Sequence, residues 1–228
     1  MIKIENTCVH GFEPAVRGMR NPLESWEKGD SKHCIDADSS CDDCGYGKPN
    51  VMPCPYGNPI VIGKNDLTLM KKLAAAGSDH RKYMRMITVY CDITAMQPWW
   101  SEFDTYKIAT VRNSCSKMHR IHVEPFLLPD FSCEGCIEVP YAYKALVDMI
   151  NVCERLRNDF NATHDKKYWR ALIELLPEGY NMRATVMLNY EVLRNMYNAR
   201  KNHKLTEWHT FCDWIKTLPY SELITGEA

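Results

Sequence analysis

Two arginines and one asparagine near the end of the chain have the residue types and spacing of an anion-binding clamp. Arg183, Asn189 and Arg200 lie within LPEGYNMRATVMLNYEVLRNMYNAR, residues 176–200. The pattern predicts a strand from Arg183 to Leu188, then a helix capped by Asn189 that ends near Arg200. Arginine has five fixed donors and pairs bidentately with phosphate or with carbonyl-rich edges. The residues alone leave an alternative open, in which both arginines are surface charges and Asn189 only caps a helix.

Four cysteines in a Gly- and Pro-rich stretch form a second group that could do chemistry. Cys34, Cys41, Cys44 and Cys54 lie within residues 33–59, which have few aliphatic side chains and are interpreted as an inserted loop. Four thiolates are the ligands of a tetrahedral structural zinc site, and the metal would supply the folding free energy that such a loop lacks. A flexible loop with free thiols is the alternative.

A further Cys-x-x-Cys pair, Cys133 and Cys136, is compatible with a metal site, a redox pair or no role. The total of 11 cysteines is odd, and the N-terminal residues lack the apolar core of a signal peptide. Both observations predict reduced thiols in a cytoplasmic protein.

The overall charge argues against two classes of partner. The 228 residues carry a net charge of −1, so no global positive field attracts a nucleic acid polymer or a membrane surface. The longest apolar run, from Val139 to Ile150, is interrupted by Lys144 and Asp148, which excludes it as a membrane span. A small anionic ligand held by local arginines remains compatible with this balance.

The elements that must position these residues follow from apolar spacing and turn residues. Their order is mixed, without regular strand–helix–strand alternation, which favours an α+β fold in a single domain over residues 1–228. Residues 99–119 are ambiguous between helix and extended loop, and residues 123–140 are interpreted as a loop. The other predicted elements are a helix with Asn65 or Asp66 as its N-cap and a stop at Gly77, a strand from Tyr83 to Ile93, and helices from Ala142 to Phe160, Tyr168 to Leu176 and Leu205 to Thr217.

The C-terminal segment resembles the flavin-dependent thymidylate synthase family. That family has Leu-Pro, an Arg six residues after the Pro, an Asn six residues further on, and an Arg eleven residues after that. The matching residues here are Leu176, Pro177, Arg183, Asn189 and Arg200, without a gap. The resemblance implies a central, mostly antiparallel sheet flanked by helices, and a homotetramer whose active sites are shared between chains.

The family's activity gives the implied ligands and residue roles. Its reduced FAD passes a one-carbon group from methylenetetrahydrofolate to C5 of dUMP, a pyrimidine deoxynucleotide. By resemblance, Arg183 and Arg200 bind the nucleotide, Asn189 lies near nucleotide and flavin, and Ser116 and Lys117 complete the substrate site. Arg200 or Arg183 polarising a uracil carbonyl would stabilise developing negative charge. The candidate catalytic residues are Arg200 and Ser116.

The flavin side of the resemblance is incomplete. His80 and Lys107 are the candidate cofactor contacts, together with Asn189. The family's Arg-His-Arg signature is absent, and its place is occupied near Tyr106-Lys107-Ile108. A second family arginine, two residues after the Asn, is replaced by Glu191. Because a carboxylate has the wrong sign to face a pyrophosphate, the FAD side is interpreted as rebuilt or lost.

Three hypotheses follow from the sequence. The first is a thymidylate-synthase-like enzyme that transfers a one-carbon group to C5 of a deoxyuridine nucleotide. The second is a non-catalytic nucleotide-binding protein that kept the dUMP site and lost flavin. The third is a structural zinc protein that uses the Cys-rich loop for interactions.

Overall fold

The computed structural model describes residues 2–33 and 60–226, which form a mixed helix-and-sheet structure. The helices in this part of the chain are α1 (Phe12–Arg20), α2 (Lys64–Ala75), α3 (Gln97–Phe103), α4 (Lys117–Arg120), α5 (Glu134–Ile137), α6 (Pro140–Thr163), α7 (Lys166–Leu175), α8 (Tyr190–Arg200), α9 (Thr206–Lys216) and α10 (Glu222–Thr225). The strands are β1 (Lys3–His10), β2 (Lys32–His33), β3 (Ile60–Val61), β4 (Thr88–Met96), β5 (Val111–Ser114) and β6 (Asn181–Asn189). The larger sheet has the strand order β1-β4-β6-β5.

The small sheet joins the two ends that flank residues 34–59. β2 and β3 are antiparallel, with Lys32 opposite Val61 and His33 opposite Ile60. The chain therefore leaves and returns at neighbouring points. The predicted Cys-rich loop and its zinc ligands lie outside the described residues, and they stay a prediction: Cys34, Cys41, Cys44 and Cys54.

The chain divides into two compact units, and the division falls within strands of the larger sheet. Among the described residues, unit 1 comprises 2–3, 93–105 and 113–184. Unit 2 comprises 4–33, 60–92, 106–112 and 185–226. Arg183 therefore belongs to unit 1, whereas Asn189 and Arg200 belong to unit 2.

Unit 1 has its own apolar core beneath α6 and α7. The buried members of this core are Ile121, Phe126, Phe131, Ile150, Cys153 and Leu172. Trp99 and Trp100 of α3 are also fully buried, and the Trp100 indole donates to the Met182 carbonyl at 3.0 Å. A buried indole that finds a backbone acceptor anchors α3 to the first residues of β6.

In unit 2 the end of β6 and the helices that follow it form a continuous buried surface. Val186 and Leu188 alternate with exposed or half-buried residues, as the predicted strand requires. The helices α8 and α9 each bury an apolar stripe, whose members are Val192, Leu193, Met196, Tyr197, Trp208, Phe211, Cys212 and Ile215.

Two predicted boundaries were wrong because distant parts of the chain supply the decisive contacts. Residues 82–86 form a 3₁₀ helix, and β4 begins at Thr88 rather than at Tyr83. The Tyr83 hydroxyl donates to the Met70 carbonyl at 2.7 Å, which holds that residue against α2. Neither Asn65 nor Asp66 caps α2, since the Asp30 carboxylate accepts from both of their backbone N–H groups, at 2.8 and 3.0 Å.

Short elements occupy the two stretches that the sequence left as ambiguous or as a loop. The stretch 99–119 contains most of α3, then β5 and the start of α4, and the predicted loop 123–140 contains a 3₁₀ turn and α5. β1 and α1 were not predicted at all. The buried apolar residues of α1, Phe12, Ala15, Val16 and Met19, do follow helical spacing, so this signal was present in the sequence and was missed. Isolated helices this short are only marginally stable, and their formation depends on packing against the rest of the chain.

Candidate functional site

A cationic cleft in unit 1 contains three of the residues implicated by sequence. Its volume is about 210 Å³. The described residues that line it include three cationic side chains and no carboxylate. The complete lining is Thr94, Cys115, Ser116, Lys117, Arg120, Ile121, Tyr180, Asn181, Met182 and Arg183. We call it the unit 1 cleft.

Local folding explains why Arg183 meets Ser116 and Lys117. In β6 the side chains of Met182 and Ala184 are buried, so the alternation of the strand turns Arg183 to the exposed side. The Cys115 backbone N–H donates to the Arg183 carbonyl at 2.9 Å, which attaches the following residues to this strand. Ser116 then caps α4, accepting from the His119 N–H at 3.3 Å, and Lys117 is the first residue of that helix.

Tyr180 and Asn181 form part of the cleft wall and are held in place by contacts with Phe131 and Ser132. Tyr180 pairs with Phe131 in an isolated antiparallel bridge, and the Ser132 hydroxyl lies 2.9 Å from the Asn181 side-chain oxygen, to which it donates. Burial, with smaller contributions from the charges of Asp130 and Cys115, raises the pKa of Tyr180. The phenol therefore stays neutral at physiological pH and keeps its proton for donation.

These groups suit a phosphate better than a whole drug-sized molecule. Ligand pockets commonly measure roughly 300–1,000 Å³, so the cleft has room for part of a nucleotide. A doubly charged phosphate pairs well with arginine and lysine, and hydroxyl donors add directional contacts. Sequence reasoning missed Thr94, Tyr180 and Asn181. Tyr180 and Asn181 lie three and two residues before Arg183, and this proximity in sequence is the signal that could have found them.

Arg200 lies in unit 2, at the end of α8, and is half-buried. Its Nε donates to the Tyr106 hydroxyl at 2.9 Å. The centre of its guanidinium is 4.8 Å from the ring centroid of Trp208 and 5.5 Å from that of Tyr106. A cation at these distances from aromatic faces is attracted by the ring quadrupole. Arg200 is thus an oriented side chain rather than a freely solvated surface charge.

Asn189, also in unit 2, is the N-cap of α8 and is only 5% exposed. Its side-chain oxygen accepts from the Val192 N–H at 2.9 Å, and its amide nitrogen lies 3.5 Å from the Arg85 carbonyl, to which it donates. Both amide atoms therefore serve the protein itself. This geometry supports the structural alternative for Asn189 more directly than a ligand contact.

Replacing Asn189 by Ala is expected to lower the free energy of unfolding by about 0.5–2 kcal/mol, because α8 loses its N-cap acceptor. Urea denaturation measures the change. Asn189→Asp keeps the acceptor and should retain most of the stability, and Asn198→Ala, on the exposed face of the same helix, is the matched control. A stability of Asn189→Ala equal to that of the control would contradict the capping role.

The candidate flavin contacts in unit 2 do not form a cationic site. His80 is exposed in the turn after α2, and Lys107 is exposed between α3 and β5. Glu191, in the first turn of α8, is buried and accepts from the Arg81 Nε at 2.8 Å. A buried carboxylate that already neutralises the adjacent arginine opposes a pyrophosphate. The residues at this position therefore do not fit the FAD contact that the resemblance implied.

The described residues bear on three further kinds of feature: metal-binding clusters, reactive thiols and membrane-spanning helices. No group of three or more His, Cys, Asp or Glu residues within 2–33 and 60–226 could hold a metal ion. Cys133 and Cys136 are half-buried free thiols, and burial, aided by the charge of Glu134, raises the pKa of Cys133. A protonated thiol is a poor nucleophile, so Cys133 is a weak attacking group in this environment. None of the helices in the described ranges has the length and apolar character of a bilayer span.

Comparison with known proteins identifies the fold. No protein-family model and no curated protein matches this chain. Among solved structures, thymidylate synthase X from Helicobacter pylori with FAD and dUMP matches with a TM-score of 0.66 and 15% identity, over 99% of this chain and 98% of that one. A second structure of flavin-dependent thymidylate synthase ThyX from Helicobacter pylori, complexed with FAD and dUMP, gives a TM-score of 0.64 and 16% identity, over 98% of both chains. The predicted mixed fold with an antiparallel sheet is confirmed.

Proposed function

We propose that this chain is a thymidylate-synthase-like enzyme that transfers a one-carbon group to C5 of a deoxyuridine monophosphate. The observation that carries the proposal is the unit 1 cleft, whose lining brings Arg183, Lys117 and Ser116 together. FAD and methylenetetrahydrofolate would supply the redox chemistry and the one-carbon group. The fold shared with two structures that contain FAD and dUMP supports the same substrate class.

The roles of the residues follow from their chemistry. Arg183 and Lys117 bind the phosphate as charged donors, and Ser116 donates its hydroxyl proton to it. Arg200 contacts the nucleotide and stabilises negative charge that develops on the pyrimidine during transfer. No protein nucleophile is required, because positioning and electrostatics are the protein's contribution when a cofactor carries the bond-making steps.

A second candidate function is favoured by the ion pair between Arg81 and Glu191. Since this pair does not fit a pyrophosphate, the chain would bind the nucleotide without FAD and without catalysis. Both functions share the unit 1 cleft. They differ only in flavin binding and turnover, so a single set of measurements separates them.

Thermal denaturation of the purified chain with dUMP tests nucleotide binding, which both candidate functions require. Ligand at 100 times its Kd stabilises the native state by about 2.7 kcal/mol, which corresponds to a rise in Tm of about 5–10 °C for a protein of this size. Deoxyuridine, which lacks the phosphate, should produce a much smaller rise. Equal responses to both compounds, or none to either, would remove the cleft as a phosphate site.

Flavin binding then decides between the two functions. After incubation with FAD and desalting, an enzyme of the proposed type retains visible flavin absorption. It also converts dUMP to thymidylate when methylenetetrahydrofolate and a reductant are added. Protein that responds to dUMP but stays colourless and inactive supports the non-catalytic function instead.

Zinc binding by Cys34, Cys41, Cys44 and Cys54 is a separate proposal, as are a homotetramer and a cytoplasmic location. Metal analysis that finds about one zinc per chain, lost to a chelator, supports the four-cysteine site. Light scattering of the purified protein measures the assembly directly.

A further inference from the structure

The segment from Tyr106 to Arg112 is held in a defined conformation inside unit 2. The Thr110 hydroxyl donates to the Tyr106 carbonyl, which closes a turn. Ala109 in this turn adopts a left-handed backbone with φ of 62°, which is uncommon for a residue with a Cβ. This tight turn fixes the backbone position of Tyr106, the first residue of the segment.

Trp208 provides a second fixed surface in unit 2. It lies in the first turn of α9, is fully buried, and packs edge-on against Phe211 with ring centroids 5.5 Å apart. The rings of Tyr106 and Trp208 are 6.4 Å apart at an interplanar angle of 63°. A buried tryptophan of this kind has little rotamer freedom, so the surface that it presents to Arg200 is rigid.

We propose that Tyr106 and Trp208 are positioning residues for Arg200, and that they orient its guanidinium in advance for the nucleotide. The hydrogen bond from Nε to the Tyr106 hydroxyl sets the plane of the guanidinium, and the Trp208 face supports it from one side. The inference rests on the proposed function, because orientation affects binding only if Arg200 contacts the ligand.

Preorganisation changes affinity because ordering a long side chain on binding costs free energy. An Arg200 that is already oriented avoids part of that cost. Loss of the Tyr106 hydroxyl alone should therefore weaken dUMP binding by about 3- to 10-fold. Tyr106 is the first residue of the segment in which the family's Arg-His-Arg signature is absent. It would thus affect nucleotide binding through its contact with Arg200.

The test measures dUMP binding by calorimetry for the full chain and for Tyr106→Phe, Arg200→Ala and the double variant. Tyr106→Phe keeps the ring and removes only the hydroxyl. The expected result is weaker binding of the Phe variant, an unchanged Tm of the free protein, and no additional loss when the change is made in the Arg200→Ala background. Tyr141→Phe is the matched control, since Tyr141 is 81% exposed on α6.

Several outcomes would overturn the inference, and they are distinguishable. Wild-type protein that does not bind dUMP overturns the proposed function as well. Normal binding by Arg200→Ala removes Arg200 from the site but leaves the unit 1 cleft standing. An affinity of Tyr106→Phe equal to that of Tyr141→Phe, or an equal loss in the Arg200→Ala background, overturns only the positioning role. Trp208→Phe provides a second comparison where it folds.

Discussion

Replacing Arg183 by Ala is expected to weaken dUMP binding by about 10- to 100-fold. Hydrogen bonds to charged groups contribute about 1.5–3 kcal/mol each, and a guanidinium facing a phosphate makes such contacts in pairs. Arg183 projects from the exposed side of β6 into the unit 1 cleft, beside Lys117 and Ser116. Isothermal titration calorimetry of the purified variant measures the effect.

Three comparisons make the Arg183 result specific. Arg183→Lys keeps the charge but loses the planar pair of donors, so its affinity should lie between those of the wild type and the Ala variant. Arg155→Ala, on an exposed position of α6, removes the same charge elsewhere in unit 1 and should leave affinity unchanged. Residual binding of deoxyuridine should not respond to Arg183→Ala. A loss that is the same for nucleotide and nucleoside would show that Arg183 does not contact the phosphate.

Replacing Asp66 by Ala is expected to lower the free energy of unfolding by about 3–5 kcal/mol, because it leaves the Arg20 charge buried without its partner. Asp66 is fully buried and Arg20 is 5% exposed. One carboxylate oxygen pairs with Arg20 at 2.7 Å. The other accepts from the Ser31 hydroxyl at 2.6 Å and from the backbone N–H groups of Ser31 and Asp30 at 2.9 and 3.0 Å. Chemical denaturation measures the change.

The acid dependence of stability provides a second measurement of the same group. Burial alone would raise the pKa of Asp66, but the hydrogen bonds from Ser31, Arg20 and the backbone together lower it below its ordinary value of 3.8. A carboxyl whose pKa is lower in the folded state stabilises the protein above its unfolded pKa, and that stabilisation is lost as the pH falls through the folded pKa. The difference between wild type and Asp66→Ala should therefore be constant above about pH 5 and should shrink below about pH 4.

The matched control is Asp148→Ala on α6. Asp148 accepts from Lys144 at 3.0 Å, but its side chain is 62% exposed, and exposed pairs of this kind contribute about 0–1 kcal/mol. Its loss should be barely measurable and nearly independent of pH. Equal effects of the two substitutions would mean that the Asp66 network is solvated rather than buried.

The sequence was most informative where local pattern and tertiary structure agree. In β6 the alternation of Ala184, Val186 and Leu188 matches one buried face, and the spacing of Leu193 and Met196 matches the buried side of α8. These side chains face the interior in the structure, as their spacing predicted, so periodicity alone was sufficient to identify the buried faces. The N-cap at Asn189 was also predicted, because a cap bonds within three residues of itself.

The sequence was least informative where a residue's partner lies far along the chain. Asp66 had been interpreted as a helix cap, but its partner Arg20 is 46 residues away. The N-cap residue of α2 is Gly63, and two N–H groups of the first turn donate to the carboxylate of Asp30, which no local pattern connects to that helix. Tyr83 was placed in a strand on its alternation, and its bond to the Met70 carbonyl keeps it in a 3₁₀ helix instead.

The sequence by itself determined which apolar side chains of β6, α8 and α9 face the interior, because this depends on residue type and short-range spacing. It also singled out Arg183 and Arg200, by their spacing and by the family resemblance. Only the tertiary structure decided what surrounds those arginines. Arg183 shares a cationic cleft with Ser116 and Lys117, whereas Arg200 is held by Tyr106, which lies 94 residues away in the chain. Such partners are brought together by packing of the whole unit, and the spacing of residues along the sequence does not indicate which distant residues will meet.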